Sequence, residues 1–243
     1  ADHALVASHA GLAADREIMA GLAPGTGVVG GHDHLSLAHE GAGLGYLHAG
    51  SWGARLGAMI FGARGGPRAV TIATEALEAT PDAGLAAEVD ALLAAHLTAE
   101  DRAVIGRVEA GLDLPASILL AAEAVRAATE ADVAMLGHTT FGQALPRGEV
   151  TRFDLDAFVR FDGDLAVAEV DGATLSAILS RANQHRRFGL EGRTGDFVHA
   201  EEIAVEVGRR YRVAVNGWTA MNQKAFLGVE GLAFETAPDL RLK

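Results

Sequence analysis

The chain has 243 residues, 49% of them apolar and 21% charged, ordinary globular usage and enough to build substantial cores. Its 20 Lys and Arg against 32 Asp and Glu leave a formal charge of −12, a field that repels nucleic acid and anionic membranes while leaving a small phosphate ester acceptable at a cationic centre. There is no cysteine, which excludes disulfides and thiolate metal ligands without fixing a compartment, and Asp, Glu, Arg or His interrupts every apolar run before it could span a bilayer.

Apolar periodicity predicts a short strand at 5–7, a helix at 12–22 and a buried strand at 27–29. Strand signals separated by Gly and Pro follow at 43–49, 56–62 and 69–74. Pro81-Asp82 opens a helix with Leu85, Val89, Leu92, Leu93, His96 and Leu97 on one face, and this segment, 78–102, reads as a helical connection between two domains. His96 completes the apolar stripe and is expected to be packed or capping. Beyond it, strand and helix alternate: strands at 104–108, 133–136, 166–170, 203–207 and 212–215, and helices at 115–129, 153–159 and 172–183. The basic stretch 184–193 reads as an exposed, solvated loop.

The chemistry concentrates near the start. Ser8-His9-Ala10-Gly11 and Gly30-Gly31-His32-Asp33-His34 each follow an apolar strand-like run, and together they gather three histidines on loops at strand ends. Histidines at i and i+2 on an extended segment project from one side, and paired glycines let the backbone pass close to an ion. Imidazole is the commonest side-chain ligand for zinc, manganese and iron, so His9, His32 and His34 are the candidate metal ligands. Asp33 should point the other way, into a supporting or solvent role. His48 is expected to be a core histidine, and Ser51 lacks a nucleophile frame.

These residues resemble the 5'-nucleotidase and 2',3'-cyclic phosphodiesterase branch of the calcineurin-like metallophosphoesterases. Residues 5–12 are similar to that family's strand ending in SHxGL, residues 28–34 to its strand ending in GGHxH, and Tyr46-Leu47-His48-Ala49-Gly50-Ser51-Trp52-Gly53 to the strand after it. Residues 131–134, 146–151 and 161–165 resemble its separate C-terminal domain. The implied architecture is an α/β (α+β) chain: residues 1–77 are the end of a four-layer metallophosphoesterase sandwich, 78–102 a linker, and 103–243 a mixed α/β substrate-binding domain. The resemblance implies two divalent metal ions (Mn, Zn, Fe or similar), with His9 and His32 on one and His34 on the other. It also implies a small phosphate ester as substrate, with a nucleotide as the leading choice, and a periplasmic or extracellular location.

The family's GDxHG-like, GN and GNHE-like segments, which supply the remaining ligands and the leaving-group acid, do not occur. The sequence opens at Ala1 directly on the strand that carries His9, so the leaving-group acid is expected upstream of Ala1 and no catalytic residue is assigned within the chain. The expectation is therefore a C-terminal portion of a larger enzyme, inactive alone. In the second domain, Phe161 and Trp218 fall on the positions of a base-stacking clamp, with packed core aromatics as the alternative. Gly142 stands where the family carries an anion-binding arginine, and Lys224 near a family acidic residue. His138 is a candidate substrate contact. Two other functions remain open: a thiosulfate-ester hydrolase of the same two-domain architecture, and a non-catalytic nucleoside- or sugar-binding module.

Overall fold

The computed structural model describes residues 3–77 and 79–243. Ala1, upstream of which the leaving-group acid was expected, lies outside the described residues, as does residue 78, where the linker was placed to begin. The first half builds β1 (Ala4–Ala7), α1 (Leu12–Ala20), β2 (Thr26–Gly30), β3 (Ser36–Gly41), β4 (Leu44–Ala49), β5 (Arg55–Ile60) and β6 (Arg68–Ala73). Strands β1, β2, β4 and β3 form one sheet in that order; β1, β2 and β4 run parallel and β3 is antiparallel to β4. Strand β3 was not expected from sequence. It is joined to β4 by Ala42-Gly43, with φ of 51° and 76°, the left-handed pair that a two-residue hairpin requires.

Next comes α2 (Ala83–His96), whose N-terminus is capped by Asp82 accepting from Leu85 N at 2.9 Å. The expected apolar stripe is present but covers nothing among the described residues. Leu85 is 61% exposed, and His96 is exposed rather than packed. The Ala-rich sequence and its cap are enough to form the helix without burial.

The second half continues with β7 (Val104–Val108), α3 (Leu114–Ala128), β8 (Val133–Gly137), β9 (Gly148–Thr151), α4 (Arg152–Phe158), β10 (Asp164–Asp171) and α5 (Gly172–Arg181). It closes with α6 (Gln184–Arg187), β11 (Val198–Ala200), β12 (Arg210–Asn216), α7 (Gly217–Met221), α8 (Gln223–Leu227) and β13 (Glu235–Arg241). A five-stranded sheet runs β11-β8-β12-β10-β13, parallel only between β8 and β12. Alternation along the strands sends Val133, Met135, Val213 and Val215 to one face, against Leu175 and Ile178 of α5. It sends Ala134, Leu136, Ala214 and Val167 to the other, against Ile118 and Ala122 of α3. The expected strand at 203–207 does not form; Ile203 and Val205 instead lie against the α5 side of the core.

A third core joins the halves. Leu12, Val28, Leu35, Leu37 and Tyr46 pack with Leu190 and Phe197 of the second half. The basic stretch is therefore not simply a solvated loop: Gln184 and Arg193 are buried, and Arg193 donates to Phe188 O at 3.1 Å and to Ser36 O at 3.5 Å. Burial lowers the Arg193 pKa. A helical linker leaves a domain free to pivot, whereas this shared core ties the two halves side by side.

Candidate functional site

Because β1 and β2 are parallel and in register, with Ala7 beside Val29, the loops that follow them leave the sheet at the same edge. The rings of His9 and His32 meet edge to face at 5.3 Å. A side chain at residue 31 would stand 3.0 Å from His9 Nδ1, and one at residue 30 would collide with His48 Nε2 and stand 2.5 Å from Asp15 Oδ2. The glycine pair thus makes room for histidines on both sides of the backbone. The i, i+2 geometry differs from the expectation: residues 32–34 lie beyond β2, and His32 and His34 both take left-handed φ, 79° and 55°.

Asp33 between them turns inward rather than to solvent. Its buried carboxylate accepts from Leu12 N at 2.5 Å, where an anion is favoured at the start of α1. Gly11 and Gly195, with φ of 86° and 90°, allow the backbone to approach it from both halves. Behind the loops lies a closed polar group. Asp15, fully buried, accepts from Ser8 Oγ and from Tyr46 Oη, the latter at 2.7 Å, and His48 Nε2 lies 2.6 Å from Tyr46 Oη. Burial first, then Asp15, raises the tyrosine pKa, and burial lowers that of His48. A neutral His48 donating to Tyr46, which donates to Asp15, satisfies the group, so His48 is the core histidine the sequence suggested.

His34 is different: its Nδ1 is buried with no hydrogen-bond partner among the described residues. Burial and the neighbouring His32 lower its pKa, favouring the neutral ring. Among the described residues, however, no three His, Asp or Glu side chains come close enough together to hold a metal ion. The three imidazoles form an incomplete donor set, and the chain's own residues as placed do not fit a metal ion.

His9, His32 and His34 line one wall of a cleft of about 950 Å³, and Phe161 and Trp218 line another. The two aromatics are 61% and 56% exposed, so neither is the packed core residue that was the alternative. Phe161 lies just before β10, and Trp218 in α7 just after β12, adjacent strands of the five-stranded sheet. His138 is not in the cleft. It is buried, with Nδ1 at 2.9 Å from His199 Nε2, Nε2 at 3.4 Å from His34 O and its ring stacked on Phe197 at 4.4 Å. Burial lowers its pKa to about 3, and Thr139 and Thr140 after it line the cleft instead. Lys224 is exposed and 3.7 Å from Glu230. Gly142 has no room for an arginine: a Cβ there would stand 2.5 Å from Ala157 O.

Sequence reasoning missed Asp196 and Asn216. Asp196 lines the cleft beside the histidines, and burial raises its pKa, reinforced by Asp33. Asn216 accepts from Gly137 N at 3.1 Å and donates to Thr140 Oγ1 at 3.2 Å, fixing the turn below the cleft. No local pattern marks either one.

Residues 116–201, which hold most of α3, β8, β10 and the His138 to His199 pairing, match the family model for the 5'-nucleotidase C-terminal domain. Over that segment the chain is similar to a 5'-nucleotidase C-terminal domain. The chain as a whole is similar to two solved structures from Thermus thermophilus. One is a 5'-nucleotidase precursor, at 17% identity and a TM-score of 0.58, covering 97% of this chain and 58% of that one. The other is the sulfate thiohydrolase SoxB in complex with glycerol, at 18% identity and a TM-score of 0.53, covering 99% of this chain and 49% of that one. Likeness at this identity speaks for the fold alone, and this chain spans about half the length of both. No curated protein matches the sequence.

Proposed function

We propose that this chain supplies the histidine-bearing wall and the substrate-binding domain of a metal-dependent hydrolase of small phosphate esters, with a nucleotide as substrate. One observation carries the reading: the three sequence-marked histidines and the two exposed aromatics, from opposite halves of the molecule, face a single cleft. Phe161 and Trp218 take a flat group, at about 1–3 kcal/mol per stacked contact. The histidines face the other end of the ligand, on the opposite wall of the cleft. His9, His32 and His34 are then part of a donor set whose carboxylates come from outside these residues. The formal charge of −12 favours a small ester over a polymer. By its resemblance to nucleotidases, the enzyme works outside the cytoplasm.

The test is calorimetry of the purified chain with Mn²⁺ or Zn²⁺, and separately with adenosine. Weak binding of one ion that disappears in the His9→Ala, His32→Ala double variant supports the ligand assignment. Binding unchanged in that variant removes both residues from the site, and failure of adenosine to bind folded protein removes the nucleotide.

A further inference from the structure

We propose that Arg160 is a specificity-determining residue that binds the anionic end of the ligand at the mouth of this cleft. The inference rests on the reading above for the ligand's class, an oxyanion such as a phosphate carried by a small molecule, and on separate geometry for the residue. Arg160 and Phe161 both direct their backbone N–H groups to Thr140 O, at 3.2 and 3.3 Å, so the cation is fixed to the same turn as the cleft aromatic. Its guanidinium carbon stands 4.5 Å from the ring centroid of Trp52, and that ring meets His34 edge-on at 6.4 Å. One indole therefore separates the cation from a histidine that lines the cleft.

A guanidinium lying on an aromatic face keeps its N–H edge free for a planar or tetrahedral oxyanion. Arg160 has that edge to offer. Its side chain makes one long hydrogen bond among the described residues, to Asp156 O at 3.5 Å, and has no carboxylate at salt-bridge distance there. Arg241 shows the contrast, since it is engaged with Asp162 at 2.9 Å and Asp164 at 3.3 Å. The stem of Arg160 has space because residue 142 is glycine; a Cβ there would stand 2.7 Å from Arg160 Cγ. Asp162, Asp164 and Asp196 are the charged groups lining the cleft besides its histidines, and no Lys or Arg lines it among the described residues. An anion entering this acidic surround has, one residue before the cleft-lining Phe161, a cation with no carboxylate partner among the described residues.

Three ligands separate the residue's role from that of the nucleotide: inorganic phosphate, adenosine and adenosine 5'-monophosphate, all with EDTA present so that metal does not contribute. Calorimetry should give the monophosphate about tenfold tighter binding than adenosine, the increment of one charge-assisted contact. Arg160→Ala should bring the ratio to about one, and Arg160→Lys should retain part of it, because charge survives and the bidentate fork does not. In Trp218→Phe protein Trp52 is the remaining tryptophan, and inorganic phosphate should change its emission saturably, an effect absent after Arg160→Ala. A monophosphate preference that survives Arg160→Ala, or a phosphate response of Trp52 that does, overturns the inference and leaves the nucleotide reading standing. Loss of both nucleoside ligands with an Arg160-dependent phosphate response does the reverse.

Discussion

Phe197→Ala tests whether the two halves form one cooperative unit. Phe197 is fully buried, packs in one cluster with Leu12, Val28, Leu35 and Tyr46 of the first half, and stacks on His138 at 4.4 Å. Truncation removes an aromatic from a junction whose backbone is held from both sides, by Asp33 near Gly195 and by His138 N bonding Phe197 O at 2.9 Å, so collapse into the space is restricted. The expected loss is therefore the full large-to-small cost, about 3–5 kcal/mol. That is a large share of the roughly 5–15 kcal/mol that holds a domain folded. The two tryptophans report the two halves separately, Trp52 from the first and Trp218 from the second. Urea unfolding of Trp52→Phe and Trp218→Phe proteins should give coincident transitions, and Phe197→Ala should lower both midpoints together with little change in slope. A loss below about 1 kcal/mol, or a Trp52 transition that stays at its original midpoint, would show that the halves are joined by chain connectivity and not by this core.

His138 and His185, with pKa values lowered by burial to about 3 and about 4, and His199, lowered in the same direction, are neutral in the fold. Their contribution is complete above about pH 6.5 and is lost as pH falls toward those values; for His138 alone the loss is roughly 2 kcal/mol between pH 7 and 5, and a stability difference between parent and His138→Gln that does not change with pH would contradict it. Gly30→Ala should cost at least about 2 kcal/mol, because the new methyl meets two buried polar side chains; melting should show partial recovery in the Gly30→Ala, His48→Ala double variant, and additive losses would refute the collision. Adenosine, guanosine and uridine should each quench Trp218 in Trp52→Phe protein with similar affinity, and Phe161→Ala should weaken all three about tenfold. No saturable quenching by any of them would point away from a nucleotide.

Elements whose reason for forming is local were legible from sequence. Helix α3 carries its cap at Asp113, Pro115 in its first turn and a buried face of Ile118, Ala122 and Val125, and the sequence placed it within a residue at each end. The expected strand at 203–207 failed because apolar residues need a ladder partner as well as a pattern, and Ile203 and Val205 found a helix face instead. Helix α2 formed where the sequence placed it, but His96, expected to be packed or capping on its apolar stripe, is exposed; helix propensity and Asp82 suffice to form the helix in the open.

The site divides the same way. His9 and His32 sit against Gly31 and Gly11, where a Cβ would stand 3.0 and 3.3 Å from their rings, so the local motif was legible even though the backbone of His32 and His34 takes left-handed φ and not strand alternation. Phe161 and Trp218 were found by resemblance, and their exposure in the cleft sets aside the packed-core alternative. His138 was misplaced because its environment is made by His199, Phe197 and the carbonyl of His34, none of them near it in sequence. No sequence pattern marks Arg160; Trp52, in the other half, gives it a ring to lie on. Periodicity assigns a residue to a face of its own element, but it cannot pair that face with a distant one. The cleft is walled by loops of the first half and by strand ends, short helices and loops of the second, so the residues that close it are those a reading along the chain is least able to place.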